Sequence, residues 1–91
     1  MSITKEEAVE KARKDLAQRL GIDVAEIKEQ SVEDAEFPDL ALGASAADEM
    51  SGQMLTRGWR IRLQGKGQAL EYRANKNQVR LYNYKGQNYQ I

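Results

Sequence analysis

Thr4 stands three positions ahead of Glu7, the pairing of a capping box, and Val9, Ala12, Leu16 and Leu20 follow at steps of three and four. That spacing lays one apolar stripe along a helix and predicts α-helix over residues 5–20. The acid-first pairs Glu7–Lys11, Glu10–Lys14 and Asp15–Arg19 support it, and Gly21-Ile22 supplies the stop. Asp23-Val24-Ala25-Glu26 repeats the capping pattern and predicts one short turn ending near Ile27. The period then changes. Residues 28–34 read as a strand with Val32 facing inward, broken at Phe37-Pro38-Asp39 because proline cannot donate a ladder hydrogen bond. Residues 40–53 are small, acidic and without a period. They predict a long surface loop anchored by Leu40 and Leu42, of a length that is often functional or mobile.

The second half alternates. Trp59, Ile61 and Leu63 interleave with Arg60, Arg62 and Gln64, which predicts a strand over residues 59–64. Gly65-Lys66-Gly67 reads as a hairpin connection. Leu70, Tyr72 and Ala74 alternate with Glu71 and Arg73 in a strand over 68–74. Asn75-Lys76-Asn77 reads as a turn, since asparagine tolerates left-handed backbone. Val79 and Leu81 alternate with Arg80 and Tyr82 over 78–82, and residues 83–91 form a polar tail that frays or adds one more short strand. The order predicts a single α+β domain over residues 1–91, with one N-terminal helix packed on an antiparallel sheet of about four strands. Trp59 reads as the main core aromatic, and alternation puts Arg60, Arg62, Arg73, Arg80 and Tyr82 on the opposite face.

Composition removes several chemistries. The chain has no cysteine and no histidine, so disulfides, thiolate metal sites and imidazole catalysis are excluded. Ser2, Ser31, Ser45 and Ser51 therefore lack an imidazole partner. Glu33, Asp34, Glu36 and Asp39 lack the ligand alternation of a calcium loop, and Gly65-Lys66-Gly67 lacks phosphate-loop spacing. No catalytic residue, metal or cofactor is expected, and the chain is not expected to be an enzyme. The longest apolar run, Leu40–Ala44, is far short of the roughly 20 residues of a spanning helix, and the N-terminus does not read as a signal peptide. A cytoplasmic protein without membrane contact is the expectation.

Net charge is zero, but residues 1–50 hold 6 basic and 13 acidic side chains, and residues 51–91 hold 8 basic ones with Glu71 as the sole acid. Either the halves neutralise each other, with Glu29 and Glu33 taking up the arginines, or a basic face is left to bind a partner. Interleaved arginine and tyrosine on a sheet suits single-stranded nucleic acid, whereas an isoelectric point of about 6.3 does not.

Four strings stand in order along the chain: Asp15-Leu16-Ala17-Gln18-Arg19-Leu20-Gly21, Phe37-Pro38-Asp39-Leu40-Ala41-Leu42-Gly43, Gln53-Met54-Leu55-Thr56-Arg57-Gly58-Trp59-Arg60-Ile61-Arg62-Leu63 and Leu70-Glu71-Tyr72-Arg73. Their order over residues 8–82 resembles small bacterial domains of unknown function with a W-P-D-x-x-L-G-C-P string, then P-G-Y-x-I-x-L, then Y-x-Y-H. Phe37, Ala44-Ser45, Arg57 and Arg73 stand where those domains have Trp, Cys-Pro, Pro and His. The resemblance implies a shared Pro-Asp-x-x-Leu-Gly loop and no established activity; the disulfide of exported relatives is impossible here. A looser likeness to PepSY-type and cystatin-like modules implies peptide or protein binding by fold analogy.

The sequence thus points to a small interaction module for an unknown protein or peptide, with single-stranded nucleic acid as the alternative and a monomer or weak homodimer as the state. The candidate partner surface is Phe37, Asp39, Gly43, Gln53, Arg60, Arg62, Arg73, Arg80 and Tyr82. A strand edge offers a further docking mode.

Overall fold

The computed structural model describes residues 2–50 and 52–91; Ser51 lies outside them. Helix α1 (Lys5–Leu20) and a 3₁₀ turn (Val24–Glu26) precede five strands: β1 (Lys28–Phe37), β2 (Thr56–Gly65), β3 (Gln68–Asn75), β4 (Gln78–Tyr84) and β5 (Gln87–Gln90). The strands form one antiparallel meander in chain order, so the sheet has five strands rather than about four. The added strand comes from the polar tail, folded back by a tight turn at Lys85-Gly86 in which both residues have positive φ. Lys66-Gly67 turns β2 into β3 in the same way, the type I′ geometry that matches strand twist. The third connection works differently. Neither Asn75 nor Asn77 is left-handed; the Asn75 side chain instead accepts hydrogen bonds from the backbone N–H of Asn77 and Gln78 at 2.8 and 3.1 Å.

Both ends of α1 are closed as its sequence predicts. Thr4 Oγ1 accepts from the Glu7 N–H at 3.1 Å, and Glu7 Oε1 accepts from the Thr4 N–H at 2.9 Å. At the other end the N–H groups of Gly21 and Ile22 reach back to the carbonyls of Gln18 and Ala17. Among the described residues Asp15–Arg19 closes at 2.7 Å, whereas Glu7–Lys11 and Glu10–Lys14 form no ion pair. The buried stripe is Ala8, Ala12, Leu16 and Ala17, with Val9 and Leu20 half-buried at its margins. Three alanines let the helix approach closely enough for Ile61, Leu63, Tyr72, Val79 and Leu81 to be fully buried beneath it.

One polar contact crosses this layer. The Tyr72 hydroxyl donates to Asp15 Oδ2 at 2.8 Å, and Arg19 Nε donates to the same oxygen at 2.7 Å. The Arg19 guanidinium lies 4.6 Å from the Tyr89 ring centre and 5.5 Å from that of Tyr84, which ties β4 and β5 to the helix. Burial, reinforced by the bond to Asp15, holds the Tyr72 hydroxyl protonated well above its ordinary range.

Trp59 departs from expectation. It is in phase with Ile61 and Leu63, but it is only half-buried at the margin of the core. Lys5 lies 4.0 Å from Asp34, the cross-strand partner of Trp59, so α1 starts beside this tryptophan and does not extend over it.

Next to it, Gly58 has no room for a side chain. A Cβ there would stand 2.1 Å from the Ala74 carbonyl oxygen, a backbone atom that cannot swing aside. Gly58→Ala is expected to cost about 1–3 kcal/mol through forced separation of β2 and β3, and Leu16→Ala about 2–5 kcal/mol through a cavity under the helix. Urea unfolding of the two variants checks both; a wild-type midpoint for Gly58→Ala would contradict the close approach.

Candidate functional site

The segment between β1 and β2 is not a free surface loop. It forms a strap across the sheet face opposite α1, and its Ala41, Leu42 and Ala44 are buried together with Phe37 of β1. Its turn explains the Pro-Asp-x-x-Leu-Gly string. Asp39 Oδ1 accepts from the N–H groups of Ala41 and Gly43, both at 2.9 Å, and so fixes the turn. Leu42 sits at φ +61°, an uncomfortable value for a branched residue, held because its side chain is wholly buried. Gly43 follows at φ +67°. A Cβ on Gly43 would come 2.6 Å from Arg73 Nη1, so this position needs glycine for its conformation and for its space.

The carbonyls of Asp39, Ala41 and Ala46 accept from backbone N–H groups within the strap, and side chains of the sheet take several of the others. Arg73 Nη1 donates to the carbonyls of Leu42 and Gly43 at 3.1 and 3.2 Å. Arg80 Nη1 donates to that of Ala44 at 3.3 Å, Gln78 Nε2 to Leu40 at 2.7 Å and Asn88 Nδ2 to Ser45 at 2.9 Å. Arg80, only 3% exposed, also donates through both terminal nitrogens to the Glu49 carboxylate, with Nη2–Oε2 at 2.7 Å. Glu49 in turn accepts from the Ala46 N–H at 3.0 Å.

The remaining arginines converge on Glu71. Arg73 Nε lies 2.8 Å from Glu71 Oε2, Arg60 Nε 3.3 Å from the same oxygen and Arg62 Nε 3.6 Å from Oε1. Arg73 also stacks on Tyr82 at 3.7 Å from the ring centre and on Phe37 at 5.4 Å. The arginines pair with Glu71 and Glu49, not with Glu29 or Glu33.

The sequence-predicted residues therefore fall into three places. Phe37, Arg60, Arg73 and Tyr82 form one stack, with Arg62 at its outer side. Asp39, Gly43 and Arg80 hold the strap. Gln53 is exposed on the approach to β2, apart from both groups. The structure gives most of them work inside the protein.

An open surface lies elsewhere. Leu40, Met54 and Leu55 are 46%, 62% and 66% exposed and border a groove of about 920 Å³ with half-buried Trp59. Asp34 and Glu36 of β1, Arg57 of β2 and Lys76 of the β3–β4 turn form its polar rim. Sequence reasoning missed this site. The available signal was phase: Leu55 shares the parity of Trp59, Ile61 and Leu63, so helix-side positions begin four residues before the predicted start of β2.

Strap closure depends on pH in a definite direction. The Arg80 hydrogen bond, then the Ala46 N–H, lowers the Glu49 carboxyl from 4.5 to about 2. A carboxyl lowered on folding contributes stability above its ordinary pKa, and that contribution disappears as pH falls from 4.5 through about 2. Amide exchange of residues 41–49, corrected for intrinsic rate, should stay level relative to β2 above pH 4.5 and quicken below it. In Glu49→Gln it should already be fast at neutral pH and without that step.

No curated protein and no solved structure matches this chain. A family model, described as a domain of unknown function (DUF8738), matches residues 9–82. That span runs from α1 to Tyr82 in β4 and takes in the Asp39 turn, Glu49, Glu71, Arg73 and Arg80. With most of its length and the whole strap inside the match, the chain belongs to the DUF8738 family.

Proposed function

We propose that this domain is a non-enzymatic interaction module that docks a protein or peptide at the groove beside Trp59. The observation that carries the reading is the cluster of Leu40, Met54 and Leu55 left in solvent around a half-buried tryptophan. Contiguous apolar side chains ringed by charge mark docking surfaces more often than they occur by chance. A tryptophan at the margin offers a large anchor area, and a methionine adapts to the shape of an incoming side chain. The lack of cysteine fits a reducing compartment, and the cytoplasm is the proposed location. The expected state is a monomer or weak homodimer.

The nucleic-acid alternative required an open face of four arginines and Tyr82. Arg80 is buried against Glu49, Arg73 is enclosed by the strap, and Arg60 and Arg62 face Glu71. These internal contacts weigh against that alternative, and Arg62 is the most exposed of the four arginines.

The test is affinity capture with the wild-type domain and with Met54→Ser/Leu55→Ser, whose exposed positions should leave the circular dichroism spectrum unchanged. Wild type should retain a protein after nuclease treatment, and the double variant should retain roughly tenfold less, as loss of a docking anchor implies. Equal retention by the variant, or a bound fraction removed by nuclease, refutes the reading.

A further inference from the structure

We propose that the free edge of β1 takes up an extended, basic segment of the partner as an additional strand, whose end delivers an apolar side chain to the Trp59 groove. The inference rests on the interaction-module reading and names the partner's chemistry. β1 is ten residues long, pairs only with β2 and forms one border of the sheet. Among the described residues, no hydrogen bond from another element reaches its outer backbone. The other border is built differently. β5 has four residues, lies beside an irregularity in β4, and is tied down through Asn88 to Ser45. One edge is thus shielded and the other is open.

The open edge is acidic. β1 carries Glu29, Glu33, Asp34 and Glu36 against one base, Lys28, and all four acids are exposed. Internal neutralisation is partial: Lys5 stands 4.0 Å from Asp34, Arg57, itself 90% exposed, stands 3.7 Å from Glu36, and Arg60, the cross-strand partner of Glu33, is paired with Glu71. A second copy of the chain would bring acids against acids, so this edge repels its own kind. A strand bearing Lys or Arg at alternate positions meets the opposite condition and is steered toward it. The register from Ser31 to Phe37 is unbroken after the irregularity near Glu29, which leaves a straight run for pairing. Asp34, Ala35 and Glu36 at the far end of that run are also a wall of the groove. Edge and groove are therefore one continuous surface, with main-chain pairing to give affinity and one pocket to give selectivity.

Isotope-labelled protein is titrated with a synthetic peptide of about eight residues, a usual strand length, alternating Lys and Val and ending in Leu. A Glu-for-Lys counterpart and two versions N-methylated on alternate amides complete the set. The Lys peptide should shift the amides of residues 31–36 together with those of Leu55 and Trp59. One N-methylated phase should abolish binding and the other should leave it intact, because only one phase donates to the edge. Asp34→Asn/Glu36→Gln, both exposed and on the same face of the strand, should weaken the Lys peptide roughly tenfold at low salt and much less at high salt. The Glu peptide should not bind. Shifts confined to Leu40, Met54, Leu55 and Trp59, with both peptides alike, overturn the added strand and leave the groove reading standing. No binding of the Lys peptide also overturns the proposal, and retention by Met54→Ser/Leu55→Ser separately decides the groove.

Discussion

The carbonyl groups of Leu42, Gly43 and Ala44 belong to a buried stretch of chain that has no strand beside it, and the guanidinium groups of Arg73 and Arg80 take them. A backbone carbonyl buried without a donor costs on the order of 1–3 kcal/mol, so the strap can lie on the sheet only if such donors are present. Arginine suits the task because one planar group offers several N–H donors in a fixed fork. Arg73 spends Nη1 on the strap and Nε on Glu71, and Arg80 spends its fork on Ala44 and Glu49. With the strap in place Phe37 and Leu42 are dry, and the sheet has a layer on each face. The domain therefore has a second small core, built from backbone and arginine where the first is built from helix and aliphatic side chains.

This arrangement also disposes of charge. A row of arginines on one face would repel itself in the absence of acids. Glu71 sits between three of them on β2 and β3, and Glu49 is brought by the strap to the fourth. The acidic first half and basic second half of the chain meet at Glu49–Arg80, while Glu71 works from within the basic half. What is least balanced is the border: Asp34 and Glu36 of β1 have exposed partners at 4.0 and 3.7 Å, and Glu33 stands opposite Arg60, which is given to Glu71.

Elements fixed by local chemistry were legible in the sequence. The capping box at Thr4 and Glu7, the stop at Gly21 and the alternation through Ile61, Tyr72 and Leu81 each depend on neighbours within a few positions, and each element formed. The face assignment of the four arginines was also legible, because alternation alone decides it. The strap was not, since no period betrays a segment whose hydrogen bonds go to side chains thirty or more residues away. Leu42 carried a hint as an apolar residue before a glycine, but its burial rests on Arg73 reaching from β3. β5 was missed as a definite strand because its half-buried residues, Tyr89 and Asn88, read as polar tail until Tyr84 and Arg19 stand beside them. Trp59 was assigned the right face and the wrong depth, because phase shows which way a side chain points and not where the covering layer ends.

That last distinction bears on function. Each sheet face is covered for part of its length: by α1 from Lys5 onward on one side and by the strap from Leu40 onward on the other. Both layers stop at the same end, where β1 finishes, β2 begins and the β3–β4 turn projects. The apolar residues there continue the strand pattern past the part of the sheet that the described elements fully cover. Leu55 keeps the phase of the core without its shelter, Trp59 keeps it with only half, and Leu40 leaves the strap turn facing the same space. Stability of the isolated domain gains little from exposed leucine and methionine. A covering group supplied from outside would give those positions the burial that Ile61 and Leu63 obtain from the helix, and the open acidic edge leading to them restricts which chains can supply it.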